Sequence, residues 1–136
     1  PMVDAYIDNY TKEGLSVVRK GNIMARMRMI VLYDISAERN ALVIGTGNKT
    51  EILLGYTTIY GDSACALNPL GDLYKTQVRN LAKYLNVPES IILKKPSADL
   101  WEGQTDEDEM GLTYEETDRY LYNKYDLKQS KENLPC

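Results

Sequence analysis

Leu42-Val43-Ile44-Gly45-Thr46-Gly47-Asn48-Lys49-Thr50-Glu51-Ile52-Leu53-Leu54-Gly55-Tyr56 opens a stretch that runs on through Thr57-Thr58-Ile59-Tyr60-Gly61-Asp62 to Leu67-Asn68-Pro69. Ala41 to Ile44 is a short, uncharged, β-branched run between Asn40 and Gly45, the pattern of a strand buried on both faces. Gly45 ends that strand, Thr46 to Asn48 is a small-residue turn, and Asn48 with Glu51 has the spacing of a helix N-cap and its reciprocal partner. In open parallel sheets a strand, tight turn and helix start of this kind lie at the carboxyl edge. Free backbone N–H groups and the helix dipole there favour an anion such as a nucleotide phosphate.

Working outward, Met2 to Tyr10 reads as a short helix and Thr11 to Gly14 as a linker. Ile23, Met27 and Ile30, with Met24, Val31 and Ile35, recur at helical steps, so a long helix from Ser16 or Gly21 to Glu38 is expected to turn that face to the core. Arg26 and Arg28, two positions apart, point about 200° apart on it. Beyond the quoted stretch, Asp72 is expected to cap a helix over Leu73 to Leu85 whose apolar stripe packs on a sheet. Pro88 and Glu89 suit the start of a brief helix to Ile92 or Leu93. Lys94 to Leu100 is expected to be extended, Glu102 to Gly111 a loop, and Thr113 with Glu116 a capping box opening a helix over Tyr114 to Tyr125. Leu127 to Cys136 begins a further polar, helix-prone segment. The expected class is α/β: a mostly helical piece of a parallel-sheet domain, since one strand alone makes no sheet.

At 136 residues the chain suits one domain. A net charge of −4 argues against a broad nucleic-acid surface. With no histidine, a His-based triad is excluded, and any catalysis must use carboxylates, Lys, Arg, hydroxyls or a bound cation. Cys65 and Cys136 have no pairing motif and fit a reducing cytosol. No apolar run reaches membrane-spanning length, and the start lacks a basic then apolar export pattern, so a soluble, cytoplasmic protein is expected. Because the chain opens on Pro1-Met2-Val3 and stops within a polar segment, it reads as a piece of a longer protein.

The run Gly45 to Glu51 followed by Gly55 to Asp62 closely resembles the ammonia-utilising domain of NAD synthetases. Gly21 to Met29, Lys75 to Val78, Lys95 to Leu100 and Gly103 to Glu107 agree in the same order, and the resemblance runs from about Met2 to Leu121. The family's Ser-Gly-Gly-x-Asp-Ser pyrophosphate loop and its basic segment near the C-terminus have no counterpart in this sequence. The resemblance implies residues 1–136 to be the C-terminal part of a single Rossmann-like synthetase domain, of the adenine-nucleotide-hydrolase-like kind. It also implies Mg²⁺, ATP, deamido-NAD and ammonia as reactants and a homodimer as the assembly.

The candidate site residues each carry a plainer reading. Glu51 completes a capping box, or holds Mg²⁺ through a carboxylate oxygen as the family's glutamate does. Thr46 is a turn hydroxyl, or the family's ATP contact. Lys75 sits in a first helical turn, where the dipole disfavours a cation; a triphosphate supplies a reason, and the corresponding family lysine binds ATP. Ser97 signals nothing by itself but matches a family Ser/Thr that contacts ATP. Arg26 is a surface arginine, or the fork that contacts deamido-NAD, as the resemblance implies. Ile59 and Ala66 replace a lysine and an aspartate that contact the dinucleotide in some members. Thr105 to Glu109 reads as a solvated acidic loop rather than a metal cluster.

The implied function is ATP-dependent amidation of deamido-NAD through an NAD-adenylate, with this piece alone inactive. The alternatives are a non-catalytic nucleotide-binding or dimerisation module, and another pyrophosphate-loop enzyme with a different acceptor.

Overall fold

The computed structural model describes residues 2–10 and 14–130. The chain divides into two compact units, Pro1–Gly47 with Thr57–Pro69 and Asn48–Tyr56 with Leu70–Cys136. In the first unit, α1 (Met2–Tyr10) lies against α2 (Val17–Glu38). Ser16 caps α2, its side chain accepting from Arg19 N–H, and Asn40 in the left-handed region, φ 48°, marks the turn that follows it. Gly61 lies where a methyl group would come within 2.8 Å of Thr58 Cγ2 and 3.1 Å of Ala25 Cβ, so the loop can approach α2 closely.

Two expectations for this unit are corrected. Among the described residues no strand forms; Ala41 to Ile44 is extended, and its sheet-like pairing is one parallel bridge, Ile44 with Leu67. Gly45 N–H donates to Leu67 C=O at 2.7 Å and Ala66 N–H to Val43 C=O at 2.9 Å. Val43 is buried, but Leu42 is 71 % and Ile44 52 % exposed, so the run is not buried on both faces. Successive side chains of an extended segment point to opposite faces, and here the face that carries Val43 is covered while the one that carries Leu42 and Ile44 is open. The apolar face of α2 is likewise not core: Gly21 and Ala25 are its buried residues, while Ile30, Val31 and Ile35 are exposed. Periodicity shows which face is apolar, not what covers it.

The second unit is organised around α7 (Tyr114–Leu121), which packs on α3 (Lys49–Leu54), α4 (Lys75–Tyr84) and the π-helical turn Tyr122–Asp126. The short α5 (Glu89–Ile92) follows Pro88 and contacts α4, and α6 (Asp106–Met110) precedes α7. Local chemistry explains the ends of these helices. Asn48 and Glu51 form the expected capping box of α3, and Gly55 at φ 68° ends that helix in the left-handed conformation an L side chain resists. Thr113 and Glu116 form the box that opens α7.

Asp72 does not cap α4. The helix starts at Lys75, with Gln77 Oε1 accepting from Tyr74 N–H at 2.9 Å, and none of its residues is buried; Leu81 and Leu85 are exposed. The physical reason lies outside the segment, since side chains from α3 and α7 satisfy its first N–H groups. Nor is Glu102 to Gly111 a solvated loop throughout: Thr105 caps α6, Gly111 ends it, and Asp106 is only 5 % exposed. Residues 127–130 are irregular, and the remainder of the expected final segment, with Cys136 and Thr11 to Glu13 of the linker, lies outside the described residues.

The interior depends heavily on polar groups. In the first unit Ala25, Val43 and Thr58 are buried; in the second, Tyr74, Tyr114 and Leu121 are buried together with Asn48, Thr50, Gln104, Asp106, Thr117 and Asp118. Buried polar groups are tolerated when hydrogen-bonded: Asn48, Thr50 and Asp118 find partners where α3, α4 and α7 meet, and Gln104 and Asp106 around α6, whereas Thr117 Oγ1 has none.

Candidate functional site at the start of α3 and α4

The site is built from the capping box upward. Glu51 Oε2 accepts from Asn48 N–H at 3.0 Å, which orients the carboxylate across the first turn of α3. Its other oxygen, Oε1, lies 3.5 Å from Lys75 Nζ at the first turn of α4, with both side chains about four-fifths covered. Lys75 N–H donates to Thr50 Oγ1 at 3.0 Å, and Thr76 N–H to Asp118 Oδ2 at 2.8 Å. The Thr50 hydroxyl donates to Asp118 Oδ1, so one carboxylate of α7 holds the N-terminus of α4 against α3.

A tyrosine forms the floor. Lys75 Nζ is 5.1 Å from the centroid of the Tyr114 ring, and the Arg79 guanidinium 5.7 Å from it, so the ring's negative face meets two cations. Tyr114 is 0 % exposed, and its hydroxyl donates to Asp106 Oδ2 at 2.8 Å. Tyr56 donates to Asp106 Oδ1 at 3.3 Å and to Glu109, which also accepts from Gln104 Nε2 at 3.1 Å. Burial, then the hydrogen bond to Asp106, pushes the Tyr114 hydroxyl well above its ordinary pKa; burial, then the bond to Glu109, does the same for Tyr56. Both phenols stay protonated and donate to carboxylates through the whole neutral range.

A second polar knot lies beside it. Lys49 Nζ is 2.6 Å from Asp126 Oδ1 and 4.7 Å from the Tyr74 ring centroid, and Tyr74 donates to the other Asp126 oxygen. The bonds from Lys49 and Tyr74 hold the Asp126 carboxyl below its usual range. Apart from these knots, a cavity of about 280 Å³ is lined by Leu54, Gly55, Tyr56, Met110, Leu112 and Thr117. None of the expected site residues lines it.

The structure therefore brings together two of the expected residues, Glu51 and Lys75. Ser97, half-buried in the same unit, is engaged locally, its hydroxyl accepting from Asp99 N–H at 3.0 Å. In the first unit Thr46 is exposed beside buried Gly45, and exposed Arg26 donates from Nε to Ile59 C=O at 3.1 Å. Sequence reasoning missed Thr50, Tyr114, Asp118, Tyr56 and Asp106. The Thr50–Asp118 pair spans 68 positions, and no local spacing reveals it.

The family model described as NAD synthase matches residues 1–135. The NH(3)-dependent NAD(+) synthetase of Fusobacterium nucleatum is 58 % identical over 133 residues, which is 98 % of this chain and 51 % of that protein. The Wolinella succinogenes protein of the same name is 62 % identical over 117 residues, covering 86 % and 46 % of the two chains. Among solved structures, an NMN synthetase from Francisella tularensis superposes with TM-score 0.85 at 47 % identity, over 96 % of this chain and 53 % of that one. An NH3-dependent NAD synthetase from Campylobacter jejuni, in complex with nitrate, gives 0.75 at 41 %, over 98 % and 51 %. The chain thus spans about half the length of the curated relatives it matches. A family model matched over residues 1–135 and relatives aligned over almost the whole chain lead to one conclusion: the chain belongs to the NAD synthase family.

Proposed function

We propose that this chain is the C-terminal part of a single synthetase domain that makes NAD by ATP-dependent amidation of deamido-NAD with ammonia. The observation that carries the reading is the Glu51–Lys75 pair: a carboxylate and an ammonium held 3.5 Å apart at the first turns of two helices, in a chain of this family. In the proposed reaction the nicotinate carboxylate attacks the α-phosphorus of ATP and pyrophosphate leaves. Ammonia then attacks the acyl carbon of the resulting NAD-adenylate, and AMP leaves.

Such a reaction needs charge neutralisation and alignment of two bound nucleotides more than it needs a general base. Lys75 supplies a positive charge to the triphosphate, while the first N–H groups of α4 are taken by Thr50 and Asp118. Thr46 and Ser97 offer hydroxyls to ATP. Arg26 offers a planar fork to deamido-NAD.

The residues present fit Mg²⁺ as a single-carboxylate site. Glu51 Oε2 is committed to Asn48 N–H, while Oε1 faces only a 3.5 Å ion pair and is the free hard donor. Among the described residues no group of three His, Cys, Asp or Glu could hold a metal, so Glu51 would share the ion with water and phosphate oxygens. When bound, Mg²⁺ supplies neutralisation of phosphate charge.

The same reading places the protein in the cytoplasm and makes it a homodimer, with the exposed apolar face of α2 as an interface element. It also completes a parallel sheet beside the Ile44–Leu67 bridge in the whole Rossmann-like domain. The 136-residue chain alone, without a Ser-Gly-Gly-x-Asp-Ser loop, is proposed to be inactive and to act at most as a nucleotide-binding or dimerisation module.

Calorimetric titration with Mg-ATP and deamido-NAD tests the proposal. Saturable Mg-ATP binding that Glu51→Gln weakens by about tenfold or more supports it; no binding, or binding indifferent to Glu51→Gln, removes it. A turnover assay with ammonia should yield no NAD from this chain alone. One finding favours a second reading, in which the acceptor is a mononucleotide: the Francisella neighbour is named an NMN synthetase, and Ile59 and Ala66 offer no polar side chain. Titration with nicotinate mononucleotide beside deamido-NAD separates the two acceptors.

A further inference from the structure

The buried carboxylate of Asp118 has no role in the reading above, and its surroundings are specific. It lies on α7, 5 % exposed, and its two oxygens divide their partners: Oδ1 takes the Thr50 hydroxyl of α3 and Oδ2 takes Thr76 N–H of α4. Thr50 Oγ1 in turn accepts Lys75 N–H at 3.0 Å. The sequence neighbour of Thr50 is Glu51, and that of Thr76 is Lys75. One carboxylate therefore sets the backbone on which each half of the ion pair is carried.

We propose that Asp118 is a positioning residue that, through Thr50, holds the Lys75 ammonium in register with Glu51 over the Tyr114 ring. The inference deepens the Mg-ATP reading of this corner and rests on it for its functional meaning. The physical argument has two parts. First, a buried charge persists only where strong hydrogen bonds and dipoles replace its hydration. Here a hydroxyl, an N–H and the positive end of α4 do so, which makes the arrangement stiff. Second, a cation that meets a phosphate must be held to a fraction of an ångström, since a misplacement of about 1 Å can cost about a hundredfold in rate. Lys75 has a long flexible stem, so a fixed origin for that stem is the part the protein can supply.

The test uses the 136-residue chain and two readouts. Lys75 Nζ lies 5.1 Å from the Tyr114 ring centroid, so the ring current is expected to shift its ε-methylene protons away from the position of an exposed lysine such as Lys83. That signal is recorded without nucleotide in the parent, Asp118→Asn, Thr50→Val, Thr50→Ser, and Glu116→Gln as a control on the same helix. Asp118→Asn and Thr50→Val are expected to keep far-ultraviolet helicity while the Lys75 signal collapses towards the exposed value. Thr50→Ser, which restores the hydroxyl, and Glu116→Gln should retain it. Mg-ATP affinity is expected to fall about tenfold in the first two variants and to recover in Thr50→Ser, a change equivalent to about 1.4 kcal/mol.

A Lys75 signal that stays at the parent's position in both Asp118→Asn and Thr50→Val overturns the positioning role. So does loss of the fold in both, which would make the carboxylate a purely structural element. If the parent itself binds no Mg-ATP, the function proposed above fails, while the nucleotide-free signal still decides the positioning.

Discussion

Tyr114 donates to Asp106 Oδ2 over 2.8 Å from a position with no solvent exposure, while the face of its ring receives the Lys75 ammonium. One side chain thus joins the start of α6 to the start of α4. The consequence is that the acidic run after Gln104 is partly an interior element, fixed by phenols rather than by cations.

Removing that hydroxyl should be costly. Tyr114→Phe leaves Asp106, itself buried, with the Tyr56 hydroxyl as its remaining side-chain donor at 3.3 Å. A buried acceptor deprived of its partner costs about 1–3 kcal/mol, and denaturant unfolding should show a loss in that range. A loss below about 0.5 kcal/mol would mean that solvent reaches Asp106 after all.

Glu51→Gln separates stability from ligand binding. Glutamine serves a capping box as well as glutamate does, so the unfolding free energy should change by less than about 0.5 kcal/mol. Loss of a charged contact to the metal should nevertheless weaken Mg-ATP binding by about tenfold or more. Calorimetry and thermal unfolding on the same preparations check the two halves separately.

Alkaline pH should unfold the second unit early. Tyr56, Tyr74 and Tyr114 all have raised pKa values, chiefly through burial and then through bonds to Glu109, Asp126 and Asp106 respectively. A raised folded-state value means that the stability contributed is complete below the unfolded tyrosine value of about 10 and is lost as pH climbs beyond it. Urea midpoints should therefore fall above about pH 10, with tyrosinate absorbance and loss of helicity appearing together. Tyr114→Phe should flatten the slope; an unchanged slope would assign the effect to other groups.

The first unit has its own tight point. Gly61→Ala places a methyl group 2.8 Å from Thr58 Cγ2 and 3.1 Å from Ala25 Cβ, closer than carbon atoms pack. Overpacking of this kind costs about 1–3 kcal/mol, and a fall in the thermal midpoint should follow. Thr58→Ser, which removes the offending methyl, should recover part of the loss in the double variant.

Much of the local structure was legible in the residues. Asn48 with Glu51, Gly55 after Leu54, and Thr113 with Glu116 all produce the caps that their spacing predicts, because a cap is made within three or four residues by groups already adjacent. The start of α4 was not legible from Asp72, because its N–H groups are satisfied by Thr50 and Asp118, far away in the chain. Asp106 resembled the other acidic residues around it; only the phenols of Tyr56 and Tyr114 distinguish it.

The sequence by itself pointed to the family and set the caps at Asn48, Gly55 and Thr113, since motif and capping are short-range properties. Tertiary structure alone decided which apolar faces are covered, that Leu42 and Ile44 stand open, and that Lys75 meets Glu51 above a buried tyrosine. The reason is physical: a side chain's chemistry travels with the residue, but its burial and its partners exist only once distant segments of the chain have met.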